Sequence, residues 1–95
     1  MAVYVDPMMP TTPNEKWRFK RGCHLYADTL EELQEFAGRL FLPRSWFQSK
    51  EATGLDHYDL VVGKRRRAVQ MGAQPHSLQE AAEYFTRRMN DGRNH

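Results

Sequence analysis

Residues 23–40 read CHLYADTLEELQEFAGRL. Cys23 to Ala27 is short, apolar and aromatic, the composition of a strand inside a fold. Asp28 interrupts it. Thr29-Leu30-Glu31-Glu32 then has the form of a capping box, in which the threonine hydroxyl accepts from the orphan amides of the first turn and Glu32 reaches back. Leu30, Leu33, Phe36, Ala37 and Leu40 recur at helical spacing and predict an amphipathic helix over 29–40. A strand leading directly into a helix with one apolar stripe predicts a sheet with helices laid on it.

Outward from this stretch the same signals recur. Upstream, Ala2 to Val5 (AVYV) predicts a strand, and Asp6-Pro7 stops it, so Asp6 stands at its carboxyl end. Residues 7–21 (PMMPTTPNEKWRFKR) contain Pro7, Pro10 and Pro13 and no period, which predicts an irregular loop. Downstream, Pro43 ends anything helical, Ser45 to Gln48 is a short aromatic segment, and 49–56 (SKEATGLD) predicts a loop. His57-Tyr58-Asp59 leads into a helix over about 61–71, with Gly72 as its left-handed cap. Ala73 to Pro75 predicts a short edge strand, because proline is tolerated only at an edge. Ser77 to Glu80 is a second capping box, and Leu78, Ala81, Ala82, Phe85 and Met89 stripe a helix that Asp91-Gly92 ends. The expected fold class is α/β or α+β, a single small domain over 1–90 with 91–95 as a tail. Its short sheet has about three to four strands, covered by about three helices.

Ninety-five residues, 40% of them apolar and 27% charged, suffice for one compact domain and not two. A domain of this size buries roughly two-thirds of its unfolded surface, so a ligand or a second copy of the chain would matter to its stability. No apolar run approaches the roughly 20 residues that span a bilayer. The opening MAVYVDPMMP lacks the basic start and long apolar stretch of a signal peptide. The lone cysteine, Cys23, makes no internal disulfide and fits a reducing cytoplasm. A secreted disulfide knot, a membrane span and a multidomain enzyme are excluded, and a cytoplasmic location is expected. The net charge is only +2, yet Lys16, Arg18, Lys20 and Arg21, then Lys64 to Arg67, then Arg87, Arg88 and Arg93 form basic clusters that attract phosphate. Acidic residues gather between Asp28 and Glu35.

Chemically able side chains fall at the expected strand ends and helix starts: Asp6, His24, Asp28, Trp46, Gln48, His57, Tyr58, Asp59, Lys64 and Arg65. His24 and Asp28 lie four apart across a strand-to-helix junction, and His57 and Asp59 lie two apart, on one face of an extended segment. A histidine beside a carboxylate serves as a general base, the carboxylate fixing its tautomer. The same pairs offer ligands to a divalent metal, but neither spacing is a recognised metal signature, so no metal ligand and no cofactor is assigned. The structural alternative has Asp28 and Asp59 as helix caps with the histidines packed against them. Lys64 and Arg65 would supply charge and a bidentate fork to phosphate. Trp46 and Phe47 are natural core anchors, whereas Trp17 and Phe19 are expected nearer the surface. Cys23 reads as a small buried strand residue, and Ser45 and Ser49 lack a nucleophile elbow.

With MAVYVD, CHLYADTLEELQEFAGRL, WFQ, HYDL, GKRRRAV and MGA on the page, the chain resembles the short bacterial and bacteriophage proteins of the domain of unknown function 4031 family. Tyr4 to Asp6, His24, Ala27 to Thr29, Glu31 to Leu33, Trp46 to Gln48, His57 to Asp59, Lys64-Arg65 and Gly72-Ala73 carry the likeness over about residues 1–73, and the helix at 77–90 lies largely outside it. Gly63 stands where the family pattern carries a serine or threonine. The resemblance implies a small, phage-type cytosolic protein, in the host cytoplasm if phage-encoded, and implies no activity. Because its motif residues are mostly polar, it favours one composite site.

Three functions compete. The first is capture of a phosphate-bearing small molecule, a nucleotide or nucleotide-derived signal. Lys64 and Arg65 would hold phosphate, Trp46 or Tyr58 would stack a base, and Asp6, Asp59, Gln48 and His57 would complete the site. A homo-oligomer would enlarge a pocket that one domain barely forms. The second is a small phosphoesterase or nuclease using His24 or His57 with Asp28 or Asp59, with or without metal assistance. The third is a nucleic-acid or protein-interaction module built on the basic loop around Trp17 and the C-terminal helix.

Overall fold

The computed structural model describes residues 2–15 and 17–93, so Lys16 of the basic stretch lies outside the described residues. Strand β3 (Arg21–Ala27) is the middle of the sheet. On one side it pairs antiparallel with β5 (His57–Leu60), which in turn pairs with the two-residue β4 (Phe47–Gln48). On the other side it pairs antiparallel with β1 (Val3–Val5), which takes β6 (Gln74–Pro75) in parallel. The path is β4-β5-β3-β1-β6, and β2 (Met9–Pro10) adds to the start of β3 off this path. The sheet therefore has six strands, more than expected. The additional ones, β2 and β4, are two residues long and too short to show a period in sequence. The edge strand at Pro75 is where proline demanded it.

The helices are α1 (Leu30–Arg39), α2 (Lys50–Thr53), α3 (Val62–Gln70) and α4 (Leu78–Arg93), with a 3₁₀ turn at Arg44–Trp46. The three longer ones are those expected. The short α2 replaces part of the expected loop at 49–56, its end capped by Gly54 at φ 90°. The left-handed Gly72, at φ 112°, ends α3 as its position required. Helix α4 runs past Asp91-Gly92 to Arg93, and residues 94–95 lie outside the described residues. Its capping box is complete: Glu80 N donates to Ser77 Oγ (3.1 Å) and Ser77 N to Glu80 Oε1 (2.9 Å). In α1 only half of the box forms. Glu32 N donates to Thr29 Oγ1 (3.1 Å), while Glu32 Oε2 is buried without a partner.

Strand alternation divides the core. Val5, Cys23, Leu25, Ala27, Tyr58 and Leu60 point to one face, where Leu33, Phe36, Ala37 and Leu40 of α1 and Ala68 of α3 cover them. Tyr4 and Tyr26 point to the other, against Ala81, Tyr84 and Phe85 of α4. That second face is covered only over its β1 side. Toward β5, beyond the α4 cluster, His24 of β3 is exposed and His57 and Asp59 of β5 are half-buried.

Residues 9–22 are a hairpin rather than an irregular loop. Beyond the β2–β3 pairing, Thr11 N donates to Lys20 O (2.8 Å), Asn14 N to Trp17 O (2.6 Å) and Trp17 N to Asn14 Oδ1 (2.9 Å). This folds Trp17 inward to 6% exposure, a correction to its expected surface position, while Phe19 stays at 37% and Trp46 is half-buried. Gly22 makes the room: a Cβ there would stand 2.9 Å from Trp17 Cζ2 and 3.4 Å from Leu60 O. Gly22→Ala is therefore expected to cost about 1–3 kcal/mol by overpacking. In a Trp46→Phe background it should also red-shift Trp17 fluorescence and raise its quenching by acrylamide; an unshifted spectrum with unchanged stability would contradict this packing.

Candidate functional site

The register of β3 against β5 places His24 opposite Asp59, and that of β4 against β5 places Gln48 opposite His57. Residues 57 and 59 are two apart on β5, so both side chains join His24 on the uncovered face. The two imidazoles meet edge to face, with ring centroids 4.8 Å apart. The β1–β3 register carried one step past Val5 sets Asp6 beside His24. Asp6 Oδ1 accepts from His24 N (2.6 Å) and its Oδ2 lies 2.7 Å from His24 Nδ1. Arg65, reaching from α3, donates from Nε to the backbone carbonyl Asp6 O (2.9 Å), so the main chain that carries the carboxylate is held from behind.

Each imidazole is fixed through Nδ1. His57 Nδ1 lies 2.8 Å from Leu55 O, and a carbonyl can only accept, so Nδ1 carries the proton. His24 Nδ1 donates to the Asp6 carboxylate in the same way. Both Nε2 atoms then turn toward Asp59 Oδ1, at 3.9 Å from His24 and 3.6 Å from His57. One donor atom of each of the three residues lies within 4.8 Å of the others. The environments differ. The hydrogen bond it donates to Asp6 raises the pKa of His24, whose side chain is 52% exposed, whereas burial lowers that of His57, 12% exposed.

Beside Asp59 opens a cleft of about 430 Å³ lined by Asn14, Glu15, Trp17, Ser45, Trp46 and Gln48. Trp17 and Trp46 form its aromatic wall and Phe19 packs against both, with centroids 5.0–6.0 Å apart. A larger groove of about 970 Å³ lies elsewhere, between α1, α2 and α4, over Leu30, Leu33, Leu55 and Met89. It is lined by none of His24, His57 and Asp59, whereas Asp59 lines the smaller cleft, so chemistry and volume do not coincide and the smaller cleft is the relevant one.

Of the sequence candidates, the fold brings together Asp6, His24, His57 and Asp59, with Gln48 and Trp46 beside them and Arg65 behind. It does not bring in Asp28, Tyr58 or Lys64. Asp28 accepts from Tyr84 (2.7 Å) and Tyr4 (3.1 Å) and anchors α4, so His24 takes Asp6 as its carboxylate and not Asp28. Tyr58 points to the opposite face and donates to Gln34 Oε1 (2.5 Å). Lys64 Nζ donates to Leu40 O (2.7 Å), joining α3 to the end of α1. Neither Asp28 nor Asp59 caps a helix: Thr29 caps α1 and Asp59 lies inside β5. Glu15, which lines the cleft, was not among the sequence candidates, and Trp17 was named only in the basic loop of the third function; Gly22 is the signal that could have placed Trp17 in the cleft.

The family model described as "Protein of unknown function (DUF4031)" matches residues 3–88, a span that takes in most of α4. No curated protein and no solved structure gives a match.

Cys23, one residue from His24, faces the helix-covered side, and burial pushes its thiol up to about 12. Iodoacetamide at pH 8 is therefore expected to leave the native protein unlabelled and to label it stoichiometrically in guanidinium. Rapid native labelling would place the thiol on the open face instead.

Proposed function

The chain belongs to the DUF4031 family, which is described by no activity, and from the site itself we propose that it is a small hydrolase of phosphoesters acting at His24, His57 and Asp59. The observation that carries this reading is that both imidazoles are held at Nδ1, by the Asp6 carboxylate and Leu55 O, and turn the lone pairs of Nε2 toward Asp59, which lines the cleft. Lone pairs take protons or cations; they do not hold phosphate. Capture without turnover leaned on Lys64 and Arg65 as phosphate holders, and each commits a donor to a backbone carbonyl. Support therefore moves toward hydrolysis.

The reaction needs water to add to phosphorus, the ester P–O bond to break and the leaving oxygen to take a proton. The His24–His57–Asp59 cluster activates the water, Asp6 and Arg65 orient His24, and Trp46 with Gln48 receives the organic part of the ester. Arg18, Lys20 and Arg21, exposed on the hairpin that carries Trp17, favour an anionic substrate, and the aromatic wall favours a nucleobase on it. No helix among the described residues is long and apolar enough to cross a membrane, and the reading places the protein in the cytoplasm, whether of a bacterium or of a phage-infected host.

The protein is expected to release p-nitrophenol from bis-p-nitrophenyl phosphate, and product from a panel of cyclic and linear dinucleotides, well beyond one equivalent per chain, with and without added divalent cations. His57→Ala should lower the rate by about 10²–10⁴-fold, whereas Lys64→Ala should leave it unchanged. A nucleotide depleted from solution and returned intact at one per chain would replace hydrolysis by capture.

A further inference from the structure

The distances around Asp59 pose an electrostatic problem. His24 Nε2 and His57 Nε2 both face Asp59 Oδ1, at 3.9 and 3.6 Å. With the Nδ1 protons committed elsewhere, three electron-pair donors, one of them anionic, converge on one point. The separations are too long for N–H···O hydrogen bonds, whose N···O distances end near about 3.2 Å. A single proton on either ring therefore does not close the cluster. Two ligands of one tetrahedral zinc-type ion, each about 2.0–2.1 Å from it, stand roughly 3.4 Å apart. The two gaps to Asp59 Oδ1, 3.6 and 3.9 Å, are a few tenths of an ångström wider than that, and the three donor atoms together lie within 4.8 Å, so the side chains draw inward on binding.

We infer that His24 Nε2, His57 Nε2 and Asp59 Oδ1 are the three protein ligands of a borderline divalent cation such as Zn²⁺, with the remaining coordination position open to the cleft. The supports of a metal-binding histidine are in place. One imidazole donates its far N–H to a carboxylate (Asp6) and the other to a backbone carbonyl (Leu55), the two arrangements that fix tautomer and ring plane in metal sites. Two imidazole nitrogens and one carboxylate oxygen select a transition ion over Mg²⁺ or Ca²⁺, which take oxygen ligands. Three protein ligands with an open position are the pattern of a reactive centre, whereas a structural ion is closed by four. The sequence shows no metal signature because the ligands come from two strands and only the β3–β5 register joins them.

The inference deepens the hydrolytic reading and rests on it for the cation's role, which is to supply a water of lowered pKa beside the cleft and positive charge for the phosphoryl oxygens. That role removes the need for Lys64 at the phosphate.

The test is titration calorimetry of the chelator-stripped full chain with Zn²⁺, and with Mg²⁺ as contrast. One Zn²⁺ per chain is expected, bound at least 100-fold more tightly than Mg²⁺. His57→Ala and Asp59→Asn should each weaken it at least 100-fold, Asp6→Asn about 10–100-fold, and His76→Ala not at all. Should the ligand variants fail to fold, long-range ¹⁵N correlation spectra of the wild type carry the test. Zinc should shift the Nε2 of His24 and His57 and leave their Nδ1–H in place. Zinc binding unchanged in His57→Ala, shifts confined to other histidines, or no binding tighter than 0.1 mM would overturn the site. Turnover that survives exhaustive chelation would overturn the metal and keep the hydrolase, whereas tight zinc binding with no phosphoester turned over would do the reverse.

Discussion

Everything at the site depends on the register of one strand. β3 lies in the middle of the sheet, flanked by β1 and β5, and its odd and even residues serve opposite purposes. Cys23, Leu25 and Ala27 close the larger core, and Leu25 and Leu60 beside it are fully buried. His24 and Tyr26 turn the other way. A slip of one position would exchange these sets, burying an imidazole among leucines and exposing the core. Burial of the leucine face therefore fixes where His24 stands, and the β5 and β1 pairings bring Asp59 and Asp6 to it. Polar geometry at the open end is a by-product of apolar packing on the closed side.

The second face is shared between two polar clusters with different economies. Under α4, Tyr4, Tyr26, Tyr84, His76 and Asp28 are all satisfied: two hydroxyls reach Asp28, and Tyr26 Oη meets His76 Nδ1 at 2.7 Å. The rings stack as well, Tyr4 on His76 at 4.4 Å. Such a network specifies how α4 docks and needs nothing from outside. Burial raises the Tyr26 and Tyr84 hydroxyls, which keeps them donors. The cluster on the uncovered side is the opposite case, with its acceptors crowded and unshared. The contrast separates Asp28, whose work is structural, from Asp59, whose partners are too far away to be hydrogen-bonded.

Local signals made much of the fold legible from the sequence. The threonine cap of α1 and the full capping box of α4, the leucine-phenylalanine stripe of α1, the left-handed Gly72 and the proline edge at Pro75 each act within a few residues, and each is found where its chemistry requires it. The resemblance to the family named the same polar residues. What the sequence could not show is pairing across strands. His24 with Asp28 looked natural at four residues' spacing, yet Asp6 and Asp59, eighteen and thirty-five positions away, are its neighbours. Tyr58 was readable in principle: alternation that sets His57 and Asp59 on one face sends the residue between them to the other. Trp17 was disguised by the prolines around it, and the small residue that receives it, Gly22, sits in a strand where a glycine marks close approach.

The parallel pairing of β1 with β6 joins the first strand of the chain to residues 74–75. Asp6 follows directly on β1, and His76 N donates to Val5 O (2.7 Å), so the strand that presents the site's first residue is braced by a segment made after four-fifths of the protein. On a ribosome the N-terminal strand must wait, paired on one side only, until Gln74 and Pro75 have emerged. The bracing of Asp6 is thus completed late, by a closure that joins Tyr4 to Gln74, and non-local closures of this kind are slow relative to helix formation. A nascent or truncated chain ending before Gln74 holds all the residues of the His24–His57–Asp59 cluster and lacks the strand that braces Asp6 beside them.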